Sequence, residues 1–159
     1  MSQKPNPFEE SWPILKELFE TEGASAVVEF IHEREELLER RALFLMASQR
    51  ISQGQDISRN LDDVILISRS AINEFHAQSQ LDDEPEQSRL RLEGANILSY
   101  NLSADLAPCW AEDDEPREKH HFEEGLRCAT DCLRWREKLE KGAVAISMAS
   151  WAEGVHYAG

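Results

Sequence analysis

Cysteine is scarce. There are three in 159 residues, and an odd count at low density argues for a reducing compartment, with the cytoplasm as the expected location. No apolar run approaches the length that crosses a bilayer, and no basic-then-apolar leader opens the chain, so a membrane partner is not expected. There is no glycine-rich phosphate loop, no dinucleotide fingerprint and no Gly-x-Ser-x-Gly. No catalytic residue is therefore nominated, no cofactor is implied, and the chain is read as a non-enzyme. Positive charge is also short. Lys and Arg number 17 against 31 Asp and Glu, a net charge of −14. Nucleic acid would be repelled, whereas a basic protein or peptide would be attracted.

What the chain does have is apolar residues at intervals of three and four. About six helices follow from end to end, joined by short polar or Gly/Pro loops. Residues 1–10, with Pro5 and Pro7, read as a loose tail, and residues 11–159 as one all-α domain. Ser11 and Pro13 start the first helix and Gly23 ends it. Ser25 is expected to cap a long second helix running to about Ser52, with residues 32–36 and 39–41 as its charged face. Ser58 or Asn60 starts the third. Its run Val64-Ile65-Leu66-Ile67 would suit a strand, but Leu61 and Ala71-Ile72 at helical spacing favour a helix. Pro85 opens the fourth, where Ala95, Ser99, Ser103 and Ala107 form a ladder of small residues. Pro116, preceded by Asp113, Asp114 and Glu115, opens the fifth, and Gly142 stops it in a left-handed conformation. The sixth carries Ala145, Ala149 and Ala152 on one side, with Ile146, Met148, Trp151 and Val155 beside them. The expected architecture is stacked antiparallel helical hairpins or a bundle.

Asp82-Asp83-Glu84-Pro85 recurs as Asp113-Asp114-Glu115-Pro116, and Glu93-Gly94 recurs as Glu124-Gly125, at an offset of 31 residues in each case. Periods of this size mark helical arrays, although acids before a proline are also a generic helix start. Ser147, Trp151 and Gly154 reproduce a small–aromatic–small spacing, and Leu126, Ala129, Thr130 and Leu133 alternate large with small. On these residues, the stretch 85–159 resembles the tetratricopeptide-like class of α-helical repeats. The tryptophan, glycine and tyrosine of that unit's first helix are missing here, and so is its closing proline. The resemblance implies a right-handed stack of helical hairpins with a concave groove for a peptide or protein.

Glutamate precedes histidine by three residues at Glu29/His32, Glu118/His121 and Glu153/His156. On a helix this places both side chains on one face. Two such pairs plus a glutamate from each of two further helices make a carboxylate-bridged di-metal site. Glu17 or Glu20 and Glu74 or Glu93 could supply the single glutamates. Cys128 and Cys132, one turn apart, join His121 as a possible cluster for a soft metal, with Cys109 or His156 as fourth ligand. Each set also has a plainer reading, as surface ion pairs and as buried thiols. Trp151, His156 and Tyr157 are the candidates for lining a partner groove, or else for core packing. The expected function is a non-catalytic protein–protein interaction module with an acidic surface. A metal-binding helical bundle and an acidic inhibitor of the immunity type are the alternatives.

Overall fold

The computed structural model describes residues 6–54, 56–110 and 115–158. Among them there is no strand, and no helix is long and apolar enough to cross a membrane. A 3₁₀ turn, Glu9–Ser11, leads into seven helices: α1 Trp12–Glu22, α2 Ala24–His32, α3 Leu37–Gln53, α4 Leu61–Leu81, α5 Pro85–Leu106, α6 Lys119–Lys138 and α7 Ala143–Tyr157. From α3 onward each helix packs chiefly on the next in sequence. Smaller contacts join α5 to α7 and α4 to α6. The arrangement is all-α, a series of antiparallel neighbours.

The long helix expected over 25–52 is two helices, because its charged stretch terminates one and starts the other. The Nε of Arg34 donates to the Phe30 carbonyl at 3.2 Å, satisfying an acceptor in the last turn of α2. Arg40 Nε then donates to the Arg34 carbonyl at 2.6 Å. Glu36 becomes the N-cap residue of α3, and Glu39 lies in its first turn, where negative charge suits the dipole. At the other end of α2, Gly23 takes φ +94 and serves as the hinge from α1, so Ser25 lies inside the helix rather than capping it. Residues 6–10, read as part of a loose tail, are also ordered. Asn6 Oδ1 accepts from the Phe8 N–H at 3.0 Å, Phe8 packs on the core, and Glu9 pairs with Arg50. Met1 to Pro5 lie outside the described residues.

The α4 helix is the centre of the core. Asn60 caps it, accepting from the Asp63 N–H at 2.8 Å. Leu61, Val64, Ile67, Ala71, Ile72 and Phe75 are buried along one stripe, while Leu66 is exposed. The four-residue apolar run thus divides between inside and outside as a helix requires. Each fully buried Leu or Ile contributes about 1.5–3 kcal/mol of transfer free energy.

The ladder Ala95, Ser99 and Ser103 is buried on α5, as its spacing predicts, with Ala107 buried just past the helix end, and α6 packs against that helix. Ser103 Oγ donates to the Gly125 carbonyl at 3.0 Å. Arg117 closes the C-terminus of α5, donating to the carbonyls of Asp105 at 2.9 Å, Leu106 at 3.3 Å and Ala107 at 3.2 Å. A cation there also suits the negative end of the dipole.

The 31-residue echo is not an echo of structure. Pro85 sits in the first turn of α5, but α6 starts at Lys119 and leaves Pro116 outside it. The acids Asp113 and Asp114 lie outside the described residues. Gly94 faces Phe75 on the preceding helix, whereas Gly125 faces His156 on the following one. At the end of α6, Glu140 takes the left-handed conformation (φ 56), not Gly142. The N–H of Lys141 bonds the Arg136 carbonyl at 2.9 Å and that of Glu140 bonds the Glu137 carbonyl at 3.0 Å, the paired pattern of a Schellman turn. Gly142 instead precedes α7 in an extended conformation.

Candidate functional site

The α7 helix has two apolar faces. Ala149, Ala152 and His156 are buried against the body. On the other side Val144, Met148 and Trp151 recur at four and three residues and are 77%, 41% and 42% exposed. Beside them runs a second exposed row of small residues, Ala143, Ser147, Ser150 and Gly154. Together with Tyr100 of α5 and Trp110 of the following loop, part of this face encloses a cleft of about 550 Å³.

Both aromatic walls are held in place. Trp110 Nε1 donates to the Ala104 carbonyl at 2.7 Å, which satisfies an acceptor near the C-terminus of α5 and fixes the indole. Its ring lies 6.5 Å from that of Trp151, tilted by 60°. The guanidinium of Arg136 stacks on Tyr100, 4.8 Å from the ring centroid. Arg136 Nε donates to Asn96 Oδ1 at 3.0 Å, and Nη1 donates to the Ala145 carbonyl. This buried polar strut joins α5, α6 and the start of α7 behind the cleft. A second groove, about 500 Å³ between α3 and α5, mixes hydroxyls and amides such as Ser48, Ser52 and Asn101 with Leu45, Ile97 and Leu102.

The residues nominated from sequence scatter. Trp151 is in the cleft, Tyr157 is exposed elsewhere on α7, and His156 is a core residue, 4% exposed. The Nε2 of His156 donates to the Ser103 carbonyl at 2.8 Å, and its buried Nδ1 has no partner among the described residues. Burial holds its pKa below the ordinary histidine value. Sequence reasoning missed Trp110 and Tyr100. Trp110 lies in a loop with no periodicity, and Tyr100 sits on the outer side of a helix read for its buried ladder. The cleft also has a partial signal in the sequence, a helix with more apolar positions than one face can bury.

The metal candidates do not converge. Glu29 is exposed, and His32 meets Phe44 edge to face with its Nε2 3.9 Å from Glu74. Glu20 pairs with Lys16 at 3.9 Å, Glu93 with Lys141 at 2.8 Å, and Glu153 accepts from Thr130 at 3.2 Å. The Cys128 Sγ lies 2.8 Å from Arg69 Nη2, within a clamp in which Arg69 also binds Glu124 at 2.7 Å. Cys132 Sγ donates to Asn96 at 3.1 Å. Burial raises both thiols, Cys132 to about 11, while Cys109 is exposed. These are the properties of packed thiols.

Among the described residues, only Asp62, His120 and His121 bring three ligand-type atoms together. Asp62 Oδ1 accepts from His120 Nε2 at 2.6 Å and from His121 Nε2 at 3.0 Å. Glu118 and His121 form the capping box of α6, in which the Glu118 N–H donates to His121 Nδ1 at 3.0 Å. That bond uses the Nδ1 lone pair, so Nε2 must carry the proton that it donates to Asp62. A metal would need the Nε2 lone pair and would break the cap, so the cluster fits a hydrogen-bonded clamp between α4 and α6 better than a metal centre. The hydrogen bond with His120 lowers the Asp62 pKa and raises that of His120.

No protein family, curated protein or solved structure matches this chain. The functional reading therefore rests on the cleft and on the charge.

Proposed function

We propose that the chain is a non-catalytic protein–protein interaction module that seats an apolar segment of a protein or peptide partner in the Trp110/Trp151 cleft. The observation that carries this reading is the exposed stripe Val144, Met148 and Trp151 facing two further aromatics. Aromatic residues and methionine are enriched at the buried centres of interfaces, and exposed apolar patches of this kind mark contact sites. The aromatic walls are braced by hydrogen bonds and a stacked guanidinium, so little side-chain freedom is left to lose on binding. The net charge of −14 supports a basic partner and speeds its approach at low salt.

The experiment is affinity capture with the wild-type chain, Met148→Glu and Leu81→Glu. Both substitutions add one carboxylate at an exposed apolar position, but only Met148 lines the cleft. The expected result is a protein recovered by the wild type and by Leu81→Glu and lost with Met148→Glu. Equal recovery by all three would remove the cleft as the contact.

A further inference from the structure

The geometry points to a partner segment of one kind, a cationic amphipathic α-helix lying along α7, and this rests on the cleft being a protein-binding site. Three observations lead there. The first is the lining. The cleft walls are side chains of helices and of Trp110, whose indole N–H is already bonded to Ala104, and Ser147 supplies the one hydroxyl among the α7 residues in the cleft. Among the described residues an extended peptide in this groove would find no row of backbone donors and acceptors, and its own amides would be desolvated without partners. A helix satisfies its backbone internally and needs only an apolar surface.

The second observation is the relief. Val144, Met148 and Trp151 stand next to the exposed small row Ala143, Ser147, Ser150 and Gly154. A Cβ added at Gly154 would meet nothing within 4 Å. Small residues at helical spacing let a second helix approach closely, and the large residues beside them interlock with its side chains. The two rows together run for about 16 Å along α7, enough for three turns of guest helix.

The third is charge. Glu137 and Glu140 are exposed just before α7 with Lys138 between them, nearby Lys141 is engaged by Glu93 at 2.8 Å, and the chain as a whole carries −14. A second copy of this chain would bring the same −14 to the interface and be repelled. A helix with lysine or arginine flanking its apolar face meets the opposite sign.

The test uses the full chain and three synthetic peptides of about 18 residues lacking tryptophan, with leucines at three- and four-residue spacing. One has lysine at the polar positions, the second glutamate, and the third is the lysine peptide interrupted by two prolines that prevent a helix. Tryptophan fluorescence reports binding, and circular dichroism confirms that each variant is folded. The lysine helix is expected to bind, to weaken with added salt, and to lose about tenfold in affinity with Met148→Glu and with Trp151→Ala. Met148→Glu adds an acid, so attraction by charge alone would make binding equal or tighter in that variant, and that result overturns the inference. So does wild-type binding of the glutamate or proline-interrupted peptide as tight as that of the lysine helix, or no binding of the lysine helix. If a peptide other than the lysine helix binds the wild type and is lost with Met148→Glu, the cationic helix fails and the cleft survives as a binding site. If every peptide that binds is indifferent to both substitutions, the two readings fail together.

Discussion

The ring of His156 fills the space that a side chain at position 125 would need. A Cβ placed on Gly125 would lie 2.2 Å from His156 Cε1. Contact this close between α6 and α7 is possible only with glycine at that position. Gly125→Ala is therefore expected to destabilise the fold by about 1–3 kcal/mol through overpacking. Gly94→Ala, whose Cβ would lie 2.3 Å from the Phe75 ring, is expected to do the same between α4 and α5. Urea unfolding of each variant checks this, and an unchanged midpoint would contradict the packing described.

His156 and His120 respond to pH in opposite senses. The pKa of His156 is lowered by burial, so the folded protein binds fewer protons than the unfolded chain below about pH 6.5. Its contribution is present above that value and is lost as pH falls toward the lowered folded pKa. The pKa of His120 is raised by the Asp62 hydrogen bond. Its contribution is present below about 6.5 and is lost as pH rises through the raised value. Histidine proton NMR should show the two titrating on either side of the ordinary value, and Asp62→Asn should move His120 down while leaving His156 in place.

The three thiols should divide by burial. Cys109 is exposed, and Cys128 and Cys132 are enclosed with raised pKa values. A thiol reagent at mild alkaline pH is expected to label one cysteine rapidly in the native protein and all three after unfolding. Rapid native labelling of Cys128 or Cys132 would contradict their placement.

Glu140 holds a left-handed backbone conformation that glycine adopts without steric strain. Glu140→Gly is expected to raise stability by about 1 kcal/mol, because the Schellman turn is kept and the Cβ clash removed. Thermal unfolding measures it, and a loss of stability would mean that the Glu140 side chain makes a contact outweighing the strain.

Much of the fold is legible in the sequence because burial has a period. Leu61, Val64 and Ile67 mark the core stripe of α4, and Ala95, Ser99 and Ser103 mark the face of α5 against α6. Helix ends were less legible where side chains bonded to nearby backbone decide them. Arg34 and Arg40 split the expected second helix through bonds to carbonyls, which no periodicity reveals. The start of α6 moved from Pro116 to Lys119 because Glu118 and His121 close a capping box there. Of the three residues nominated for a groove, Trp151 lines the cleft. Trp110 was not legible, because a loop bond to Ala104 places it. The pairing of His120 and His121 with Asp62 joins residues 58 and 59 positions apart, which local pattern does not encode.

The most direct test of the cleft as the contact surface uses the four tryptophans, since Trp12 and Trp135 are buried while Trp110 and Trp151 are exposed and line the cleft. Indole N–H signals of the nitrogen-labelled protein should be followed as the captured partner, or the lysine helix, is added. Shifts at Trp110 and Trp151 with Trp12 and Trp135 unmoved are the predicted result. Saturable binding that leaves the Trp110 and Trp151 signals where they were would contradict it.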